Sequence, residues 1–161
     1  MVFTSSIEST HRVFLLLQAF GLPRVEEYSS QLSQKERSKL LKRSKEGLID
    51  VLVCSDGLAR GMDLHVVENV INYDAPRAIT TYIHRVGRTA RAGRHGQCIT
   101  ILKQGQSKSF HKMSAQIANS QPKEYPVDRE HMAGMADQFT QALHRLKHKL
   151  EDEAIRRMRI V

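Results

Sequence analysis

Four arginines recur at every third position in Tyr82-Ile83-His84-Arg85-Val86-Gly87-Arg88-Thr89-Ala90-Arg91-Ala92-Gly93-Arg94: Arg85, Arg88, Arg91 and Arg94. No acid falls among them, and two glycines, Gly87 and Gly93, interrupt the run. Like charges held this close repel, so gathering them is favourable when an anion completes the site. Arginine suits phosphate because its planar guanidinium stays charged and offers paired donors. The competing reading of the spacing alone is a solvated basic turn.

A second stretch, Ser55-Asp56-Gly57-Leu58-Ala59-Arg60-Gly61-Met62-Asp63, is rich in small and polar residues. The Asp63 carboxylate that ends it can accept from a ribose hydroxyl or simply form a turn. Other chemistries lack their residues. There is no Gly-x-Ser-x-Gly elbow and no His-Glu-x-x-His pair, and no glycine is followed by lysine, so the Walker A phosphate cradle is absent. Asp152-Glu153-Ala154 looks like part of an ATPase acidic box, but it lies in a charged helical tail. A magnesium-binding carboxylate should instead follow a buried strand. Anion-clamping arginines without a nucleotide cradle fit one half of a two-part site. The nucleotide would sit on another domain, and an arginine brought to its transferring phosphoryl group is worth ~10³–10⁵ in rate.

These residues must be positioned by a fold. The chain has 161 residues, 40% of them hydrophobic and 26% charged, enough for one domain with a core. Its net charge of +8 suits a polyanion partner, although basic charge also serves solubility. Cys54 and Cys98 sit in apolar runs without His or Cys at metal-ligand spacing, which predicts buried free thiols and no metal site. No run is long enough for a membrane helix, and no signal peptide opens the chain. The strand-like Val2-Phe3 immediately after Met1 suggests a piece cut from a longer protein.

Apolar runs predict strands at 2–4, 25–28, 48–54, 66–73 and 97–102. Helices are expected after Ser5-Ser6 as far as Gly21, after the capping box Ser33-Gln34-Lys35-Glu36 as far as Gly47, over 78–86 and over 106–117, with a loop at 55–63. Strands alternating with helices give an α/β fold: a parallel sheet with helices on both faces, whose ligands bind at the carboxyl edge. Ser5-Ser6, the 55–63 stretch and the arginine segment all belong at that edge, which favours an anion site over a solvated turn. From Ser120 the character changes. Gln121-Pro122 and Tyr125-Pro126 mark a linker, and Met135, Phe139, Leu143, Leu146, Leu150 and Ala154 then follow helical spacing. The division expected is 1–119 for the core domain and 120–161 for linker and helical extension. That extension either packs on its own domain, the favoured reading, or docks on a partner or RNA.

Taken together, these stretches resemble the DEAD-box RNA helicases. Ser55 to Asp63 is similar to their motif V and His84 to Arg94 to motif VI. Val2-Phe3-Thr4-Ser5-Ser6 is similar to motif IV, and Gln34-Lys35-Glu36-Arg37 to motif IVa, in the same order across residues 1 to about 115. The resemblance implies a C-terminal RecA-like lobe, with ATP and Mg2+ held mainly by an N-terminal RecA-like lobe of the same protein. It implies that Arg88 and Arg91 are arginine fingers on the γ-phosphate, that Asp63 meets the ribose, and that Arg60, His84 and Arg85 join the two lobes. Ser6, Arg37, Ser55 and Gly57 would hold an RNA backbone without reading bases, with Gln34 marking motif IVa. The lobe alone would then lack ATPase activity.

Some residues depart from the family pattern. Ser29-Ser30-Gln31 stands where His-Gly-Asp is common, Ser6 and Ser55 replace Thr, and Ala90 replaces Gly. Ser-Ser at motif IV with Thr-Ala-Arg at motif VI resembles a subgroup tied to nucleolar large-subunit ribosome assembly. That implies a nuclear, nucleolar location with pre-ribosomal assembly factors as partners; otherwise the location expected is cytoplasmic. The rival reading is a stand-alone RNA-binding or scaffold module with vestigial arginines; a DNA helicase lobe is a weaker third.

Overall fold

Successive strand residues face opposite ways, so a strand buried on both sides needs apolar residues at every position. Strand β1 (Val2–Thr4) is buried at all three positions: Val2 and Phe3 are apolar, and the Thr4 hydroxyl is hydrogen-bonded to that of Thr10. The computed structural model describes residues 1–59, 67–90, 95–117 and 121–159. Within them β1 is the centre of a parallel sheet with β2 (Val25–Tyr28), β3 (Val51–Ser55), β4 (Asn69–Asn72) and β5 (Gln97–Thr100). The order is β2-β3-β1-β4-β5, with every pairing parallel. The sequence predicts this fold class and these five strands, and the structure bears both out.

Right-handed crossovers then dictate where the helices go. From β1 the chain moves to one edge through α1 (Ile7–Phe20), then returns across the sheet through α2 (Gln34–Lys45), α3 (Asp56–Ala59) and α4 (Ile79–Val86). Reversing direction switches faces, and two cores result. Val2, Val25 and Val53 pack against Val13 of α1, while Phe3, Tyr28, Leu52, Cys54 and Val70 pack with Leu40 of α2. Helix α5 (Ser107–Ser114) follows β5, and its Phe110 meets Tyr82 of α4 edge to face at 5.5 Å.

Local signals set the helix ends. Ser33 and Glu36 form the reciprocal capping box expected of them. Gly21 and Gly47 end α1 and α2 in left-handed conformation, with φ of 99° and 71°. In both cases the residue after the glycine reaches back five positions, Leu22 to the Leu17 carbonyl and Leu48 to the Arg43 carbonyl. This use of Leu48 is why β3 starts at Val51 and not at 48. The expected loop at 55–63 begins instead with the single turn α3, and α5 is shorter than its expected span.

Both cysteines are free: burial pushes the Cys54 thiol up to about 12 and that of Cys98 to about 11, so both stay protonated near neutrality.

Two further helices follow, α6 (Arg129–Gly134) and α7 (Ala136–Met158). Helix α7 lies antiparallel on α1, so the extension packs on its own domain, as favoured. The contact stripe differs from the expected one. Ala142 and Leu146 are buried, whereas Phe139 and Leu143 remain 45% and 43% exposed. Polar residues complete the seam. Gln138 donates to the Phe20 carbonyl and Arg145 to that of Ala19, satisfying acceptors that α1's own end leaves open. No described helix is long and apolar enough to cross a membrane.

Candidate functional site

The carboxyl ends of β1, β3 and β4 open on one edge, and α1, α3 and α4 start or end there. Each strand contributes polar groups as it leaves the core. After β1, the Ser5 amide and hydroxyl both donate to Asp74 Oδ2, at 2.8 and 3.0 Å, tying this turn to the exit of β4. Ser6 caps α1 by accepting from the Ser9 amide at 3.1 Å. The buried hydroxyls of Thr4 and Thr10 share a hydrogen bond of 2.6 Å beneath them.

Arg85 is the centre of the arrangement. It is only 2% exposed, yet charged, so every donor needs an acceptor. Its Nε and Nη2 donate to Asp56 Oδ1 and Oδ2 at 2.6 and 2.7 Å, a bidentate pair. Its Nη1 donates to Asn72 Oδ1 at 3.1 Å and to the Asp74 carbonyl at 2.7 Å, while the guanidinium stacks 5.3 Å above the Phe3 ring. Arg85 therefore faces inward and joins β1, α3, β4 and α4. Asn72, fully buried, extends the network by donating to Thr100 Oγ1 of β5 at 2.9 Å.

A shallow pocket lies over this strut, lined by Phe3, Asp56, Thr80, Thr81, His84, Arg85 and Arg88. His84 is exposed at its mouth, and Arg88 is half-buried. The backbone holds Arg88 in place: its carbonyl accepts from the Val67 amide at 3.0 Å, and Thr89 Oγ1 donates to the Glu68 carbonyl at 2.6 Å. Gly96 packs beneath, where a Cβ would stand 2.0 Å from Thr89 Oγ1, so this crossing requires glycine. Ala90 then turns with φ of 53°, a left-handed conformation that suits glycine better. A glycine at this position would relieve that strain.

Of the residues predicted from sequence, Ser55 is buried at the end of β3, and Gly57 is exposed in α3 with open space around it. Gln34 is exposed at the start of α2. Arg37, one turn on, is half-buried, and its Nε is buried with no hydrogen-bond partner among the described residues. Arg60, Asp63, Arg91 and Arg94 lie outside the described residues. The structure thus brings together His84, Arg85, Arg88, Ser6, Ser55 and Gly57 at one edge. Sequence reasoning gave no role to Asp56, Asn72, Asp74, Thr89 or Gly96. An acid in the small-residue stretch, needed to balance a buried arginine, was the one available signal for Asp56.

Around the fixed Arg85 guanidinium the pocket offers the Arg88 guanidinium, the His84 imidazole and the hydroxyls of Thr80 and Thr81, chemistry suited to an oxyanion. Among the described residues no group of three or more His, Cys, Asp or Glu could hold a metal ion.

A family model described as "Helicase conserved C-terminal domain" matches residues 1–93. DEAD-box ATP-dependent RNA helicase 1 of Arabidopsis thaliana is 44% identical over 156 residues, covering 96% of this chain and 30% of that protein. ATP-dependent RNA helicase DDX51 of Mus musculus is 40% identical over 153 residues, covering 95% of this chain and 24% of that protein. The chain spans a quarter to a third of the length of these curated relatives. The solved C-terminal domain of the DEAD-box protein Dbp5 superposes with a TM-score of 0.72 at 27% identity, over 85% of this chain and 80% of that one.

Proposed function

Because this chain belongs to the family of helicase conserved C-terminal domains, in its DEAD-box branch, we propose that it serves as the second RecA-like lobe of an ATP-dependent RNA helicase. It brings arginines to a nucleotide held by a first lobe and supplies half of the grip on an RNA backbone. The observation that carries this reading is the strut beneath the pocket. Arg85 is consumed by Asp56, Asn72 and the Asp74 carbonyl, and it fixes the end of α4 from which His84 and Arg88 emerge. A module that only bound RNA would not need so rigid a base under His84 and Arg88.

In this reading Arg88 and Arg91 are the arginine fingers. A preorganised cation aimed at developing phosphoryl charge lowers the barrier without reorganising at the moment of reaction. His84 faces the junction with the first lobe, and Arg85 serves that junction indirectly by positioning His84. Arg60 bridges the lobes and Asp63 accepts from the ribose. ATP binds mainly to the first lobe, and Mg2+ belongs there as well, consistent with the acid-poor pocket. Ser6, Ser55, Gly57 and Arg37, with Gln34 beside it, contact RNA phosphates through hydroxyl, amide and guanidinium groups, which carry no sequence information. Residues 1–119 form the lobe, and 120–161 are its linker and extension. The Ser-Ser and Thr-Ala-Arg variants support a nucleolar role in ribosome assembly.

The test uses the full-length protein. Arg88→Ala and Arg91→Ala should each lower the ATPase kcat by at least about 10³-fold and leave RNA affinity within a few fold. Loss of RNA binding with unchanged ATPase would favour the stand-alone RNA-binding module. The 161-residue chain alone should not turn over ATP, and robust turnover would overturn that part.

A further inference from the structure

The extension is fastened to the lobe at one point unlike the rest of its seam. His11 of α1 sits between two carboxylates: Nδ1 lies 2.7 Å from Glu27 Oε2 of β2, and Nε2 lies 2.8 Å from Glu153 Oε2 of α7. A neutral imidazole has one N–H and can donate to only one of them. The other carboxylate would then face a ring lone pair at hydrogen-bond distance, which is repulsive. Both short contacts are satisfied together only by the imidazolium. We propose that His11 is a proton-dependent clasp, which holds the C-terminal helix α7 on the lobe when charged and weakens its hold when neutral.

The surroundings support a switch rather than a fixed ion pair. Glu27 Oε1 is buried without a hydrogen-bond partner among the described residues, which leaves Oε2 to meet His11. From α1, Glu8 and Arg12 face the same groove and pair loosely with each other at 3.7 Å. From α7, Arg157 lies 3.9 Å from Glu153, and Gln31 completes the lining without charge. The Phe14 ring packs 6.4 Å from the imidazole. Burial opposes the charge on His11, but hydrogen bonds and attraction from Glu27 and Glu153 outweigh it and raise its pKa above the ordinary 6.5. The sign follows: the stabilisation is fully present below about 6.5 and is lost as pH rises through the raised value. That window opens at about 6.5 and extends upward in pH. Elsewhere the seam is apolar at Ala142 and Leu146 and is held by bonds from Gln138, Arg145 and Lys149, none of them to a carboxylate or a histidine. The clasp closes one turn beyond the Ser6 cap, so docking also sets where the Arg156-Arg157 turn of α7 stands at the carboxyl edge.

The experiment is an amide hydrogen-exchange series on the full chain from pH 6 to 8.5, corrected for intrinsic rates, with His11 titrated by NMR in parallel. The protection factors of α7 should fall as pH rises, by about tenfold for each unit by which docking raises the pKa of His11. His11→Gln should make the profile flat, and Glu153→Gln should lower the pKa of His11 while leaving the core strands protected. A flat wild-type profile would overturn the proposal. So would an unchanged slope in His11→Gln, which would transfer the effect to His144 or His148. An unmoved His11 pKa in Glu153→Gln would overturn it even if the His11 variant failed to fold.

Discussion

At the residue scale, one arginine of the basic run is structural in a way its neighbours are not. Removing the Arg85 guanidinium by Arg85→Met keeps the stem and deletes all its donors. Asp56 would lose a bidentate partner, and Asn72 Oδ1 and the Asp74 carbonyl would lose their shared donor in a buried setting. Breaking a buried pair costs about 3–5 kcal/mol. Asp56 keeps 28% of its side chain exposed and can recover some hydration, so the expected loss is about 3 kcal/mol by urea unfolding. A loss below about 1 kcal/mol would mean that the network is not the support described. The spacing of three marks the whole run as an anion site but treats its arginines alike. What separates Arg85 from Arg88 is the point at which α4 ends and the presence of Asp56 about thirty residues away in sequence. That pairing is non-local, so no local pattern encodes it. Gly96 is similar: its need for a bare Cα comes from Thr89 crossing over it, not from a turn of its own.

At the element scale, caps and periodicity were legible and contact stripes were not. Gly21, Gly47 and the Ser33–Glu36 box end or start helices by bonds among near neighbours, which a sequence displays directly. For α7 the apolar residues predict a stripe through Phe139 and Leu143, but packing selected the neighbouring face. Ala142 is small enough to let the helices approach closely, and Gln138 and Arg145 gain acceptors at the exposed end of α1. Two leucines that sequence reads alike should therefore differ. Leu146→Ala should destabilise by about 2 kcal/mol, the low end for a buried leucine at the edge of a core. Leu143→Ala, 43% exposed, should cost less than about 0.5 kcal/mol. Thermal unfolding of both variants checks this, and equal effects would place the seam on the stripe read from sequence.

At the scale of the whole molecule, composition and topology speak to different things. The five strands and the fold class follow from short alternating elements, which is why both could be read in advance, whereas the strand order is set by non-local pairing. The net charge of +8 says nothing about fold, but it does bear on how the chain meets a polyanion. Helix α2 concentrates that charge: Lys35, Lys39 and Lys42 are exposed along one side, leading away from the edge where Arg37 stands. A backbone-gripping surface should release counterions in proportion to the phosphates it neutralises. Binding of single-stranded RNA to this chain should then fall linearly in a plot of log affinity against log salt, with a slope of about −0.7 per phosphate contacted. Because hydroxyl, amide and guanidinium contacts to phosphate do not read bases, oligonucleotides of equal length and different sequence should bind alike. Arg37→Ala should make the slope shallower by about 0.7 for every sequence tested, the signature of one lost phosphate contact rather than one lost base contact. Fluorescence anisotropy titrations across a salt series supply both quantities. Affinity that ignored salt, or that changed for one sequence only after Arg37→Ala, would mean that this edge recognises bases and that the backbone grip assigned to it is wrong.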